Sequence, residues 1–191
     1  MESARIIVAM NNDTSINKMR AILTENGYIV VDLAKDGHEC LRKIRLFRPD
    51  IVIVDFNLPL TNGYEIAKVA IEDNICDVIL ITANSQYDFA DEIKSDSGFV
   101  CMEKPLSKVS LINTIELMVK SKRKIRQLEK EIEELKANLD TRKDVEKAKG
   151  LLMKHLNLTE EEAFKRIQKQ SMDRGIPMRE IARAIILAYA I

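Results

Sequence analysis

The feature that most constrains the fold of this chain is residues 49–63, PDIVIVDFNLPLTNG. Apolar residues run without a break from Ile51 to Val54, resume at Phe56 and enclose one acid, Asp55. Such a run is typical of a strand buried on both faces, as in a parallel sheet. The proline and glycine that follow predict a loop, which places Asp55 at the carboxyl end of a central strand, where open α/β sheets bind ligands. Because burying a carboxylate is costly, this position indicates a function.

Strand and helix patterns alternate through the first part of the chain. Besides the strand that holds Asp55, apolar runs predict strands at 5–10, 28–33, 77–82 and 98–102. Helical spacing of apolar residues predicts helices at 15–26, 37–47, 63–73, about 86–95 and from about 107. Repeats of this kind predict an α/β, flavodoxin-like, doubly wound parallel five-stranded sheet.

The pattern changes beyond residue 118. No Gly or Pro interrupts residues 106–149, and an apolar stripe recurs at spacings of 3 and 4, at Ile125, Leu128, Ile132, Leu135 and Leu139. This heptad pattern predicts a coiled-coil linker over 121–141 and a homodimer through residues 118–145. The alternative is a single helix that packs on its own protein.

A small all-α domain of three helices is predicted over residues 142–191. Its first helix continues from the coil to Met153, and its second opens with Thr159 and Glu162 in a capping box. A Gly-Ile-Pro sequence ends the second helix, and the third begins at Met178. A domain this small buries only a small core, so we expect it to lean on the coil or on a partner chain.

The predicted segments, 1–120, 121–141 and 142–191, differ in charge. The whole chain carries 30 basic and 30 acidic residues and is neutral. Counting Lys and Arg against Asp and Glu gives 13 and 18 in 1–120, 6 and 5 in 121–140, and 11 and 7 in 141–191, hence net charges of −5, +1 and +4. The basic tail indicates a segment that faces a polyanion.

Cysteine usage and hydropathy bear on the compartment. The three cysteines, Cys40, Cys76 and Cys101, lie in apolar surroundings without CxxC spacing, which favours core packing in a reducing environment. The N-terminus lacks the pattern of a signal peptide, and no apolar run is long enough to span a membrane. We therefore expect a cytoplasmic protein with no membrane association.

Two further residues follow neighbouring strands of the predicted sheet. Thr82 ends the fourth strand and Lys104 follows the fifth, so both lie at the same edge as Asp55. A lysine can neutralise a phosphorylated carboxylate, and a hydroxyl can hydrogen-bond the new oxygens. Each residue alone is compatible with a plain buried ion pair or a strand-end hydroxyl, whereas the three together favour a phosphate site.

Residues 1–120 resemble a response-regulator receiver domain, through the stretches VDFNLPLTNG and EKPL. The resemblance implies that Asp55 is the phosphoacceptor, that Thr82 is the signalling hydroxyl and that Lys104 supports the phosphoryl group. It also implies a sensor histidine kinase as partner.

The receiver pattern is broken where the family places the acidic pair that holds Mg²⁺. Met10 and Asn11 stand there, with Asp13 two residues beyond the pair, and Cys101 replaces the usual switch aromatic. A thioether and a neutral amide are poor Mg²⁺ ligands. The resemblance thus implies at most a degraded Mg²⁺ site of Asp55 and Asn11, and it leaves open phosphorylation or a phosphorylation-independent scaffold.

Residues 142–187 resemble an ANTAR domain, the RNA-binding module of transcription antiterminators, through AKGLLM, EEAF and MREIARAII. Gln168 departs from the family, which often has an arginine there. Cations at helical spacing form a basic face, and the predicted RNA contacts are Lys147, Lys149, Lys165, Arg166, Arg179 and Arg183.

The chain is therefore predicted to be a response regulator that acts as an RNA-binding antiterminator, and not an enzyme. Its dimer would bind paired hairpin loops of a leader transcript and so keep a terminator hairpin from forming. The alternative is a DNA-binding response regulator, since MREIARAI resembles part of a helix-turn-helix. That helix carries few side chains suited to reading base edges.

Overall fold

The computed structural model describes residues 3–83 and 98–189. Its strands are β1 (Arg5–Ala9), β2 (Ile29–Ala34), β3 (Ile51–Asp55), β4 (Asp77–Thr82) and β5 (Val100–Glu103). They form one parallel five-stranded sheet in the order β2-β1-β3-β4-β5. The helices of this part of the chain are α1 (Asp13–Glu25), α2 (Gly37–Phe47), α3 (Gly63–Glu72) and the first turns of α4 (Lys108–Leu156). The predicted doubly wound sheet is confirmed.

Element boundaries differ from the predictions by a few residues. The first helix starts at Asp13 rather than 15, because the side chain of Asn12 accepts hydrogen bonds from the backbone N–H groups of Thr14 and Ser15 at 2.9 and 3.2 Å. The fifth strand begins at Val100 rather than 98. The helix predicted at about 86–95 lies outside the described residues.

Strand β3 forms the centre of the core, and all five of its residues are buried. Val52 and Val54 belong to the apolar cluster that includes residues of α2 and α3. Ile51 and Ile53 belong to the opposite cluster, which includes residues of α1 and α4. Alternate side chains of β3 therefore enter two cores, which explains why its sequence is apolar without alternation.

The chain divides into two compact units, Met1–Lys122 and Arg123–Ile191. In the second unit, α4 extends to Leu156, beyond the predicted end at Met153, and α5 (Glu160–Arg174) and α6 (Met178–Tyr189) follow. Its core consists of small and branched residues from the three helices, at Val145, Ala148, Leu152, Ala163, Ile167, Ile181, Ala182 and Ile185. None of the helices described is long and apolar enough to cross a membrane.

The ends of α5 follow the sequence signals. The Thr159 hydroxyl accepts from the backbone N–H of Glu162 at 3.3 Å, and the Glu162 carboxylate accepts from the backbone N–H of Thr159 at 2.9 Å. The predicted capping box is thereby confirmed. At the other end Gly175 adopts a left-handed φ of 63°, which a glycine tolerates without strain.

A substitution at Gly63, the first residue of α3, measures how closely this helix packs on the end of β3. A Cβ at this position would lie 2.4 Å from the carbonyl oxygen of Asp55. We expect Gly63→Ala to lower the free energy of unfolding by about 1–3 kcal/mol, because backbone must shift to make room. Gly150→Ala, in the interior of α4 with nothing within 4 Å, is expected to raise it by about 0.5–1 kcal/mol. Chemical denaturation measures both, and an unchanged Gly63→Ala variant would contradict the close contact.

Candidate functional site

Asp55 is the last residue of β3 and is only 6% exposed. Its Oδ1 accepts a hydrogen bond from the backbone N–H of Asn57 at 3.0 Å, and its Oδ2 forms an ion pair with the ammonium group of Lys104. Both carboxylate oxygens therefore have donors. A buried carboxylate is tolerated when it is paired and hydrogen-bonded in this way.

Thr82 and Lys104 lie at the same edge of the sheet as Asp55. Thr82 is the buried last residue of β4, next to Glu103 in the register of β5. The backbone N–H of Lys104 donates to the carbonyl oxygen of Thr82 at 2.9 Å, which holds the lysine beside the end of β4. The structure thus brings Asp55, Thr82 and Lys104 to one edge of the sheet, and Lys104 forms an ion pair with Asp55.

The loop after β3 is shaped by close backbone contacts. The N–H of Gly63 donates to the carbonyl oxygen of Phe56 at 2.9 Å, and the N–H of Gly37 donates to the carbonyl oxygen of Pro59 at 3.0 Å. A Cβ on Gly37 would lie 2.2 Å from the carbonyl oxygen of Thr61. These contacts explain the glycines that begin α2 and α3, since a side chain at either place would push the loop away.

Asn57 is the site residue that sequence reasoning missed. Its backbone N–H donates to Asp55, and its carbonyl oxygen accepts from the side-chain Nδ2 of Asn11 at 3.2 Å. Both contacts use the backbone, so the asparagine side chain carries no signal of them. Its place two residues beyond the acid is the one feature that could have indicated the role.

The end of β1 does not provide the ligands of a Mg²⁺ site. Met10 is 3% exposed and packs in the apolar core, and the Asn11 amide acts as a hydrogen-bond donor. Asp13 forms an ion pair with Lys35 at 2.6 Å. Asp55 is the buried carboxylate at this edge, and among the described residues no group of three or more His, Cys, Asp or Glu side chains could hold a metal.

Mg²⁺ prefers an octahedral set of oxygens that includes carboxylates, and this donor set does not fit it. The predicted metal ligands, Asp55 and Asn11, stay a prediction that this donor set disfavours. The carboxylate of Asp55 is engaged by Lys104, and the Nδ2 of Asn11 donates to the carbonyl oxygen of Asn57, so Asn11 could offer a cation only its neutral Oδ1.

The cysteines lie in or beside the core of the first unit. Cys40 and Cys76 are buried in the cluster between the sheet and α2 and α3, and burial raises the pKa of each thiol to about 12. Both therefore remain protonated near neutral pH and act as small apolar residues, which agrees with the predicted core packing. Cys101, at the position of the family's switch aromatic, is half-buried in β5.

In the second unit, Lys149 is not the open cation that the sequence suggested. Its side chain is 8% exposed, and its ammonium forms ion pairs with Glu146 at 2.8 Å and with Glu160 at 2.7 Å. These hydrogen bonds raise the pKa of Lys149, and the lysine lowers the pKa of Glu160. Its predicted contact with RNA stays a prediction, and in the structure its pair with Glu160 joins α4 to the start of α5.

Arg179 and Arg183 are also engaged within the unit. The Nε of Arg179 and the Nε of Arg183 each donate to Asp144 at 3.0 Å, and Arg179 reaches Asp140 at 3.1 Å. The hydrogen bond from Arg179, together with that from Arg183, lowers the pKa of Asp144. The two arginines therefore fasten α6 to α4, a role that their spacing on one helix could not show.

The other three predicted RNA contacts, Lys147, Lys165 and Arg166, are exposed. Lys165 forms a surface ion pair with Glu161 at 2.6 Å, of a kind that contributes little and exchanges readily. In the described residues, Lys147 and Arg166 form no ion pair. These three side chains are the nominated cations that remain available to a polyanion.

The chain matches two known families in sequence. Residues 6–116 match the response regulator receiver domain, and residues 133–186 match the ANTAR domain. The chain is also 35% identical over 182 residues to the transcriptional regulatory protein PdtaR of Mycobacterium tuberculosis. That alignment covers 95% of this chain and 89% of the relative, so both halves and their order are shared.

Solved structures resemble the first unit. The receiver domain of Francisella response regulator 1452 superposes with a TM-score of 0.57 at 25% identity, covering 63% of this chain and 99% of that one. A response regulator receiver domain protein from Clostridium thermocellum gives a TM-score of 0.59 at 23% identity, covering 64% and 98%. Both agree with the parallel sheet described above.

The ion pairs on Asp144 predict a pH dependence of the second unit. The pKa of Asp144 is lower in the folded chain than its ordinary value of 3.8, so its contribution to stability is complete above that value and is lost as the pH falls through the folded-state pKa. We expect Asp144→Asn to lower the unfolding temperature at neutral pH and to weaken its decline in acid. Thermal unfolding followed by circular dichroism measures both.

The matched control is Asp173→Asn on α5, since Asp173 forms no ion pair within the described residues. This variant should keep the wild-type pH profile. Equal profiles for wild type and Asp144→Asn would contradict a stabilising role for the arginine pair.

Proposed function

The chain belongs to the response regulators that carry a receiver domain followed by an ANTAR domain, and from this premise we propose that it binds RNA hairpins as a homodimer. It is a response regulator of the antiterminator type. We infer that its RNA targets are hairpin loops in a leader transcript, and that its ANTAR unit occupies loop nucleotides that a terminator hairpin would otherwise use. Binding would then allow transcription to continue.

The observation that carries this proposal is the ANTAR match over 133–186 on a helical unit with exposed cations. Lys147, Lys165 and Arg166 can approach phosphates without breaking the unit's core. Such contacts give salt-dependent affinity, and RNA-specific reading uses unpaired loop bases. Tyr189 is half-buried and stacks on His155 with ring centroids 4.9 Å apart. This position favours a packing role for Tyr189 over stacking on an RNA base.

Dimerisation through residues 118–145 is supported by the apolar stripe of α4. Its five members are between 43% and 63% exposed, namely Ile125, Leu128, Ile132, Leu135 and Leu139. The described part of the chain leaves this face uncovered, which disfavours a helix packed on its own protein. A second copy offering the same stripe would cover it at heptad spacing. A dimer presents two ANTAR units, and two linked sites bind two linked hairpins with a gain in avidity.

The receiver provides the input in one of two ways. In the first, a sensor histidine kinase phosphorylates Asp55, and Lys104 and Thr82 support the phosphoryl group. In the second, the receiver is a scaffold whose state is independent of phosphorylation. The poor Mg²⁺ ligands at Met10 and Asn11 favour the second, because phosphoryl transfer depends on a cation to offset the charge of the transferred group.

RNA binding is tested with a pool of hairpins that have randomised loops, against duplex DNA of equal length. We expect hairpins to bind more tightly than the duplex. Arg166→Ala should weaken hairpin binding by about threefold to tenfold and reduce the slope of log affinity against log salt concentration by about one. Fluorescence anisotropy across a salt series measures both effects. Lys68→Ala, an exposed lysine on α3, is the control and should bind as wild type. Tighter binding to the duplex would support the DNA-binding alternative.

Dimerisation is tested by placing a charge in the middle of the stripe. Ile132→Asp is expected to convert a dimer to a monomer in sedimentation experiments, because two carboxylates would face each other in the apolar seam. Glu133→Gln lies beside the stripe and should stay dimeric. A monomeric wild type, or an Ile132→Asp variant that remains dimeric, would overturn the proposed coiled coil.

A further inference from the structure

A continuous chain of hydrogen bonds crosses the phosphoacceptor edge of the receiver. The Nδ2 of Asn11 donates to the carbonyl oxygen of Asn57 at 3.2 Å, and the N–H of Asn57 donates to Oδ1 of Asp55 at 3.0 Å. Asp55 continues the chain through its ion pair with Lys104, whose N–H donates to the carbonyl oxygen of Thr82. The chain links the loops after β1, β3 and β5 with the end of β4.

A divalent cation at this edge would have to share oxygens that already have donors. The carbonyl oxygen of Asn57 already accepts from Asn11, and the Asp55 carboxylate is already neutralised by Lys104. Because Lys104 already neutralises Asp55, the two positive charges of a bound Mg²⁺ would stay uncompensated beside that lysine. Asp13, at the start of α1, forms an ion pair with Lys35 on the exposed surface.

We propose that the carboxamide of Asn11 takes the place of the divalent cation at this edge. It joins the β1 loop to the β3 loop by a neutral hydrogen bond, so that the receiver keeps its arrangement without Mg²⁺ and does not respond to it. Asn11 is a positioning residue, which acts on Asp55 through the backbone of Asn57. The inference concerns the receiver alone and holds whatever the ANTAR unit binds.

The test is a titration of the 191-residue chain with Mg²⁺. The two readouts are the unfolding temperature and the heat of binding in isothermal calorimetry. For the wild type we expect no saturable heat and no shift up to about 10 mM Mg²⁺. Asn11→Asp exchanges the amide donor for a second carboxylate beside Asp55. We expect this variant to be less stable without metal, because a carboxylate oxygen would then face the carbonyl oxygen of Asn57. With Mg²⁺ its unfolding temperature should rise by about 3–6 °C, and a chelator should reverse the rise.

Three further variants make the outcome specific. Asn113→Asp adds the same charge on the exposed surface of α4 and should gain no response to Mg²⁺. The double variant Asn11→Asp, Asp55→Asn should lose the response. Asn11→Ala should lower the unfolding temperature equally with and without Mg²⁺, since it removes the link and adds no ligand.

A saturable Mg²⁺-dependent rise in the wild type would overturn the proposal. So would an Asn11→Asp variant that stays insensitive to Mg²⁺, because the exclusion of the cation would then not depend on Asn11. An Asn11→Ala variant as stable as the wild type would show that the hydrogen bond to Asn57 does not position the edge. Loss of RNA binding would leave all of these results unaffected, so the two proposals fail separately.

Discussion

A carboxylate at the end of the most buried strand needs hydrogen-bond donors, and Asp55 obtains them from Lys104 and the backbone of Asn57. Strand β4 lies between β3 and β5, and its last residue, Thr82, accepts from the backbone N–H of Lys104, which places the lysine at the edge where Asp55 lies. Gly63 lets α3 start directly behind the acid. The site is therefore a product of the sheet's edge, and whatever perturbs that edge perturbs the pairing of Asp55.

Helix α4 passes through three environments with the same kind of apolar residue. Leu111 and Ile115 are buried against the sheet, while Ile132 in the middle of the helix is 51% exposed. Farther along, Ala148 and Leu152 are buried among α5 and α6. The apolar stripe at heptad spacing lies between these two buried stretches, and within the described residues it is left exposed. That contrast is the physical basis of the proposed dimer.

Charged residues of the ANTAR unit form its internal ion pairs as well as the surface proposed to bind RNA. Asp144 binds two arginines of α6, and Lys149 binds two glutamates, so three of the eleven cations in the last 51 residues are already engaged within the unit. A small three-helix unit buries little apolar area, and internal ion pairs help to define its packing. A basic sequence therefore indicates a polyanion partner without showing which cations meet it.

The sequence by itself determined the order of strands and helices, the confirmed capping box at Thr159, and the positions of Asp55, Thr82 and Lys104, because these depend on local periodicity and on residues that end a strand. Tertiary structure decided the contacts between distant segments. Asn57 contacts Asp55 through its backbone, so the identity of its side chain does not predict the contact. Asn11 forms a hydrogen bond with Asn57 although the two lie 46 positions apart in the sequence. Lys149, Arg179 and Arg183 form ion pairs with acids of the same unit, and the helix packing places Glu160 beside Lys149 and Asp144 beside the two arginines. Spacing along one helix gives the direction of a side chain, and only the packed neighbours determine what that side chain meets.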